Sequence, residues 1–136
     1  MITVQSTINA SIETIWELWT APKHVMKWNN ASEDWHTPFA ENDLKVGGKF
    51  KYTMASTDGT MRFDFEGIYT NVVNPSLIEY EIADGRKVKI VFEKDAEGIK
   101  VIESFDPETV NPEEMQKNGW QAILGNFKKY VENATL

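Results

Sequence analysis

The sequence predicts an α+β domain in which one curved antiparallel sheet is closed by a long C-terminal helix. Three observations carry this. Turn signals recur at short intervals between segments of alternating polarity, at Asp58-Gly59, Asn74-Pro75, Asp84-Gly85 and Asp95 to Gly98. Two short amphipathic stretches follow the first alternating segment, and one long amphipathic stretch closes the chain.

Residues 2–8 alternate Ile2, Val4, Ser6 and Ile8 against Thr3, Gln5 and Thr7, which reads as a first strand. Asn9-Ala10-Ser11 supplies helix-capping residues, and Ile12, Ile15, Trp16 and Trp19 then fall on one helical face. A second short helix follows, with Thr20 as its expected cap and Pro22 in its first turn, carrying Val25, Met26 and Trp28. Periodicity is lost over residues 29–46, so this segment is expected to be a loop, one that carries Trp35, His36 and Phe39 as a lid or rim.

Gly47-Gly48 launches a strand with Phe50, Tyr52 and Met54 on one face. Four further strands place Met61, Phe63, Phe65, Gly67 and Tyr69, then Ile78, Tyr80 and Ile82, then Val88, Ile90 and Phe92, then Val101, Glu103 and Phe105 inward. Charged residues such as Arg62, Glu66, Glu81 and Lys89 occupy the opposite faces, so one side of the sheet is wet. Asn111-Pro112-Glu113-Glu114 is a helix start, with a capping residue, proline at the first position and carboxylates at the positive end of the dipole. From there to about Asn133, Trp120, Ile123, Leu124, Phe127 and Val131 form the buried stripe. About 22 residues at 1.5 Å each span about 33 Å, the width of six or seven strands.

With 136 residues, 41% of them hydrophobic and 26% charged, the chain reads as a single domain over 1–136. It has no cysteine, which excludes thiolate catalysis, disulfides and Cys-based metal sites. The two histidines, His24 and His36, lie at no metal-binding spacing, and no phosphate loop or nucleophile elbow is present, so neither metal nor cofactor is expected. A net charge of -7 with scattered Lys and Arg argues against nucleic acid and anionic membrane. Without a signal-like leader or spanning segment, a cytoplasmic location is expected.

Five Trp, seven Phe and four Tyr are more aromatic surface than a small core needs. A nearly straight helix cannot fill the hollow of a twisted sheet, so large side chains or a guest must fill it. The stripes of the first and last helices read as core. Trp28, Trp35, Phe39, Phe63, Phe65, Tyr80, Phe105, Trp120 and Leu124, with Met54 beside them, are candidates for lining a pocket, and Tyr52, Tyr80, His36 and Glu103 for its polar groups. Gly67 and Gly119 either open that space or serve sheet bending and close helix packing.

Glu103 is either a carboxyl desolvated among Val101 and Phe105 or, with a shifted register, a solvent-facing one. His36 is either a surface residue beside Asp34 or the partner of Glu103 in an acid–base pair, the basis of an enzyme alternative.

An ordered set of motifs adds to this: Trp19-Thr20-Ala21-Pro22, Trp28, Gly47-Gly48, Asp58-Gly59, Phe65-Glu66-Gly67-Ile68-Tyr69, Phe105-Asp106-Pro107-Glu108 and Gly119-Trp120-Gln121-Ala122-Ile123-Leu124. Together they resemble the homologues of the activator of the heat-shock-protein ATPase, within the START and birch-allergen-like (SRPBCC) helix-grip superfamily, over essentially the whole chain. The resemblance implies a helix-grip fold with a hydrophobic cavity between the C-terminal helix and the sheet, and binding of a small apolar or aromatic molecule. It also implies two alternatives, a cyclase-like or hydrolase-like enzyme using His36 and Glu103, and a chaperone-ATPase-stimulating interaction module, although a single domain lacks a separate surface for the latter role.

Overall fold

A computed structural model describes residues 1–134. The elements run β1 (Ile2–Ile8), α1 (Ile12–Thr20), α2 (Pro22–Trp28), β2 (Trp35–Asn42), β3 (Lys49–Ser56), β4 (Arg62–Val73), β5 (Leu77–Ile82), β6 (Lys87–Asp95), β7 (Gly98–Phe105) and α3 (Glu113–Ala134). Seven antiparallel strands form one curled sheet in the order β1-β7-β6-β5-β4-β3-β2. Strands β2 to β7 form a meander, and β1 adds to its far edge beside β7. The long helix α3 lies across the inner face, as in a helix-grip fold.

The segment expected to be a loop contains an eight-residue strand, β2. Its register against β3 breaks between His36 and Phe39, a bulge that contains Pro38. Such a strand shows no period-2 pattern, because the bulge swaps the faces halfway along, and its proline is tolerated on an edge strand.

α1 begins as expected, with the Ser11 hydroxyl accepting from the Thr14 amide at 3.2 Å. The cap of α2 is Ala21 instead of Thr20, whose hydroxyl donates back to the Trp16 carbonyl at 2.8 Å. The start of α3 is held by Gln116, whose amide nitrogen donates to the carbonyls of Glu108 at 3.1 Å and Asn111 at 2.8 Å.

The core lies between α1, α2, α3 and the inner face of the sheet. Trp19 packs edge-on against Phe92 and Phe127, and Trp28 edge-on against Phe127. The Trp28 indole donates to the Leu18 carbonyl at 2.9 Å, so the helix pair is joined by a satisfied buried donor. Asn126 of α3 donates to the Trp28 carbonyl at 2.7 Å, and His24 of α2 meets the Tyr130 hydroxyl of α3 at 2.6 Å. These bonds join the three helices, of which α3 packs against β1 and α2 against β2, the two edges of the curled sheet.

Candidate functional site

Between α3 and the inner faces of β3, β4, β5 and β7 lies a cavity of about 260 Å³. Strand alternation builds most of its wall. The pairs Phe50–Gly67, Tyr52–Phe65 and Met54–Phe63 set β3 against β4 on the inner face. Tyr69 and Tyr80 pair across β4 and β5, while Ile78, Ile90 and Glu103 form one row across β5, β6 and β7. Trp120 and Ile123 of α3 close the roof, and Trp19, Thr20, Trp28 and Asn29 close the helical end.

One glycine makes this geometry possible. A Cβ at Gly67 would lie 2.7 Å from the Glu81 carbonyl oxygen and 2.9 Å from Phe50 Cε1, so the Phe50 ring lies across a bare backbone. Gly119 has no such neighbour: a Cβ there meets nothing within 4 Å among the described residues, so neither close helix packing nor cavity space explains it.

Of the residues singled out from the sequence, Trp28, Tyr52, Met54, Phe63, Phe65, Tyr80, Glu103 and Trp120 line the cavity. Five others do not. Phe105 lies behind the wall, stacked on Trp120 with ring centroids 4.0 Å apart, and Leu124 is fully buried in the core. Phe39 pairs with Thr53 while Ala40 pairs with Tyr52, which turns Phe39 to the outer face, where it is 42% exposed. Trp35 stands edge-on to Phe63 at 5.8 Å, outside the lining.

His36 is exposed, and its Nδ1 donates to the Ala55 carbonyl at 3.0 Å. Of the two alternatives for His36, the pairing with Glu103 is not formed, because four strands separate β2 from β7. Met61, placed inward by alternation, precedes β4 and is 60% exposed.

The structure adds lining residues that the sequence reading left in other roles. Phe50, Tyr69, Ile78 and Ile90 were legible as inward residues by alternation alone. Arg86, in the turn between β5 and β6, had no such signal; its Nε donates to the Asp84 carboxylate at 2.8 Å and the side chain lines the cavity.

Electrostatically the site is dominated by burial. Glu103 is 5% exposed, and desolvation pushes its carboxyl up to about 8. Burial raises the phenols of Tyr52, Tyr69 and Tyr80 as well, the last also because Glu103 is near. Tyr69 donates to Asn42 Oδ1 at 2.6 Å. At neutral pH the cavity therefore presents a protonated carboxyl and three neutral phenols among aromatic faces. No cluster of His, Asp and Glu able to hold a metal exists among the described residues, and no helix in them is long and apolar enough to cross a membrane.

The fold and chain have close counterparts. The AHSA1-like protein of Aeromonas hydrophila is 43% identical, with a TM-score of 0.92 over 98% of this chain and 92% of that one. A Cytophaga hutchinsonii protein is 55% identical, with a TM-score of 0.85 over 97% of this chain and 92% of that one. A Nitrosomonas europaea protein shares the fold alone, at 14% identity and a TM-score of 0.82 over 97% of this chain and 94% of that one. No curated protein matches. A family model described as Activator of Hsp90 ATPase homolog 1-like protein matches residues 9–132, and with these relatives it shows that the chain belongs to that family.

Proposed function

We propose that this protein binds a small apolar or aromatic molecule in the cavity beneath α3. The observation that carries the proposal is the wall itself: aromatic faces from β3, β4, β5 and α3 surround about 260 Å³ of space that these side chains leave unfilled. A core without a guest packs to crystal-like density and leaves few voids larger than a water. A guest that hides about 250 Å² of apolar surface gains roughly 6 kcal/mol before ordering costs, which corresponds to micromolar affinity once polar contacts are added.

Native mass spectrometry of freshly purified protein, followed by a thermal-shift screen of aromatic and aliphatic compounds, tests this. A bound small molecule, or a melting temperature that climbs with ligand concentration, is the expected result. A protein that purifies without any guest and whose melting temperature no apolar compound moves is not a pocket binder. The family description favours a second reading, a chaperone-ATPase-stimulating role on the outer surface, and an ATPase assay with the isolated chain separates the two.

A further inference from the structure

We propose that the guest is an aromatic molecule bearing an acceptor oxygen conjugated to its ring, and that Glu103 and Tyr80 receive this oxygen as a pair of hydrogen-bond donors. This assignment rests on the cavity being a ligand site, as proposed above, and adds to it the chemistry of the guest.

The two residues face the same cavity, near enough for the Glu103 carboxyl to act on the Tyr80 phenol. Glu103 lies in the row Ile78–Ile90–Glu103, and Tyr80 in the adjacent inner-face row Tyr80–Val88–Phe105, so they sit two strands and one same-face step apart. Both are buried, at 5% and 8% exposure. Among the described residues neither the Glu103 carboxyl nor the Tyr80 hydroxyl makes a hydrogen bond, and no sealed side-chain polar atom lacks a partner, so both groups look into the cavity they line. A buried polar group that opens only onto a cavity is satisfied by water or by what fills the cavity.

The groups around this point are donors. Glu103 keeps its proton to about pH 8, so at neutral pH it is an O–H donor. The ionisable groups that other elements bring to the cavity are Tyr80 from β5, Tyr52 from β3, Tyr69 from β4 and Arg86 from the β5–β6 turn, and the phenols all keep their protons. On either side of Glu103, β1 and β6 pair with it through Val4 and Ile90, and α3 contributes Trp120 and Ile123 to the cavity.

A phenol beside a carboxylic acid held neutral by apolar surroundings is a donor pair suited to an oxygen that carries partial negative charge. An ammonium guest fits less well. It must first ionise Glu103, and it shares the cavity with Arg86.

Isothermal titration with 2-acetylnaphthalene, 2-ethylnaphthalene and 1-(2-naphthyl)ethylamine, three probes of similar size, tests the assignment. The ketone is expected to bind about five- to tenfold more tightly than the hydrocarbon at about pH 7. This preference is expected to shrink above about pH 8, where Glu103 loses its proton, while the hydrocarbon's affinity stays flat. Glu103→Gln, which keeps a donor, is expected to retain the preference at about pH 9; Glu103→Leu and Tyr80→Phe are each expected to reduce it at every pH, with circular dichroism confirming that the variants fold. Equal binding of ketone and hydrocarbon, or tighter binding of the amine, overturns the assignment and leaves the pocket standing. If none of the three probes binds, the aromatic assignment falls, and the aliphatic arm of the screen above decides the pocket itself.

Discussion

The Trp120 indole lies flat on the Phe105 ring, with planes within 10° and centroids 4.0 Å apart, so a single helical residue is at once the roof of the cavity and a lid over the core. Its other neighbour, Phe65, meets it edge-on at 6.2 Å from the opposite wall. Trp120 thus joins α3 to both β7 and β4. Truncation at this position merges cavity and core.

Trp120→Ala is expected to cost about 2–3 kcal/mol, less than a fully buried tryptophan because the residue is only part-buried. Guest affinity is expected to fall by more than tenfold, since the roof loses its aromatic face. Urea denaturation and ligand titration on the same preparation measure both; unchanged affinity with reduced stability assigns Trp120 to the core alone.

The Glu103 carboxyl titrates near 4.5 in the unfolded chain and near 8 in the folded one. Between these values the folded state holds a proton that the unfolded state has lost, so stability declines as pH rises from about 4.5 to about 8 and levels off beyond. The loss is on the order of 3–5 kcal/mol. Glu103→Gln removes it, so the variant is expected to match the wild type at about pH 5 and to be clearly more stable at about pH 9. Parallel stability curves for the two proteins from urea melts across this range would mean that the carboxyl is not desolvated.

Gly67 and Gly119 are expected to respond in opposite senses to the same substitution. Gly67→Ala forces a methyl group against the Glu81 carbonyl and the Phe50 ring, at an expected cost of about 1–3 kcal/mol with a displaced cavity wall. Gly119→Ala meets no atom and gains helix propensity, about 0.5–1 kcal/mol. Thermal melts of the two variants check the signs, and a stabilised Gly67→Ala contradicts the close approach of Phe50.

These two glycines also mark how far the sequence could be read. Period-2 alternation, turn dipeptides and the Asn111-Pro112 start located six strands and three helices, because each rests on contacts within a few residues. The seventh strand was hidden, since the bulge at Pro38 breaks the alternation that betrays a strand, and its pairing with β3 is a long-range fact. The inward faces followed from alternation and brought Tyr52, Phe65, Tyr80 and Glu103 to one cavity. Which inward residue faces space and which faces another side chain depends on the curl of the sheet under α3. That curl separates Trp120 from Leu124, and no local pattern encodes it.

Asn42 illustrates a contact of the same long-range kind and supports a last prediction. Its amide nitrogen donates to the Thr20 carbonyl at 2.8 Å, and its amide oxygen accepts from the Tyr69 hydroxyl at 2.6 Å. One side chain on the edge strand thus ties the end of α1 to the middle of β4, beside two residues that line the cavity. Asn42→Leu conserves the volume but leaves a buried phenol and a helix-end carbonyl without their partner, at an expected cost of about 2–4 kcal/mol. Asn42→Asp keeps only the acceptor for Tyr69 and places a negative charge against the Thr20 carbonyl, so at neutral pH it should be the worse of the two and should recover in part as the new carboxyl protonates in acid. Urea denaturation of both variants at about pH 7 and about pH 4 measures this; a harmless Asn42→Leu would show that the Thr20–Asn42–Tyr69 bonds add nothing to the stability of the fold.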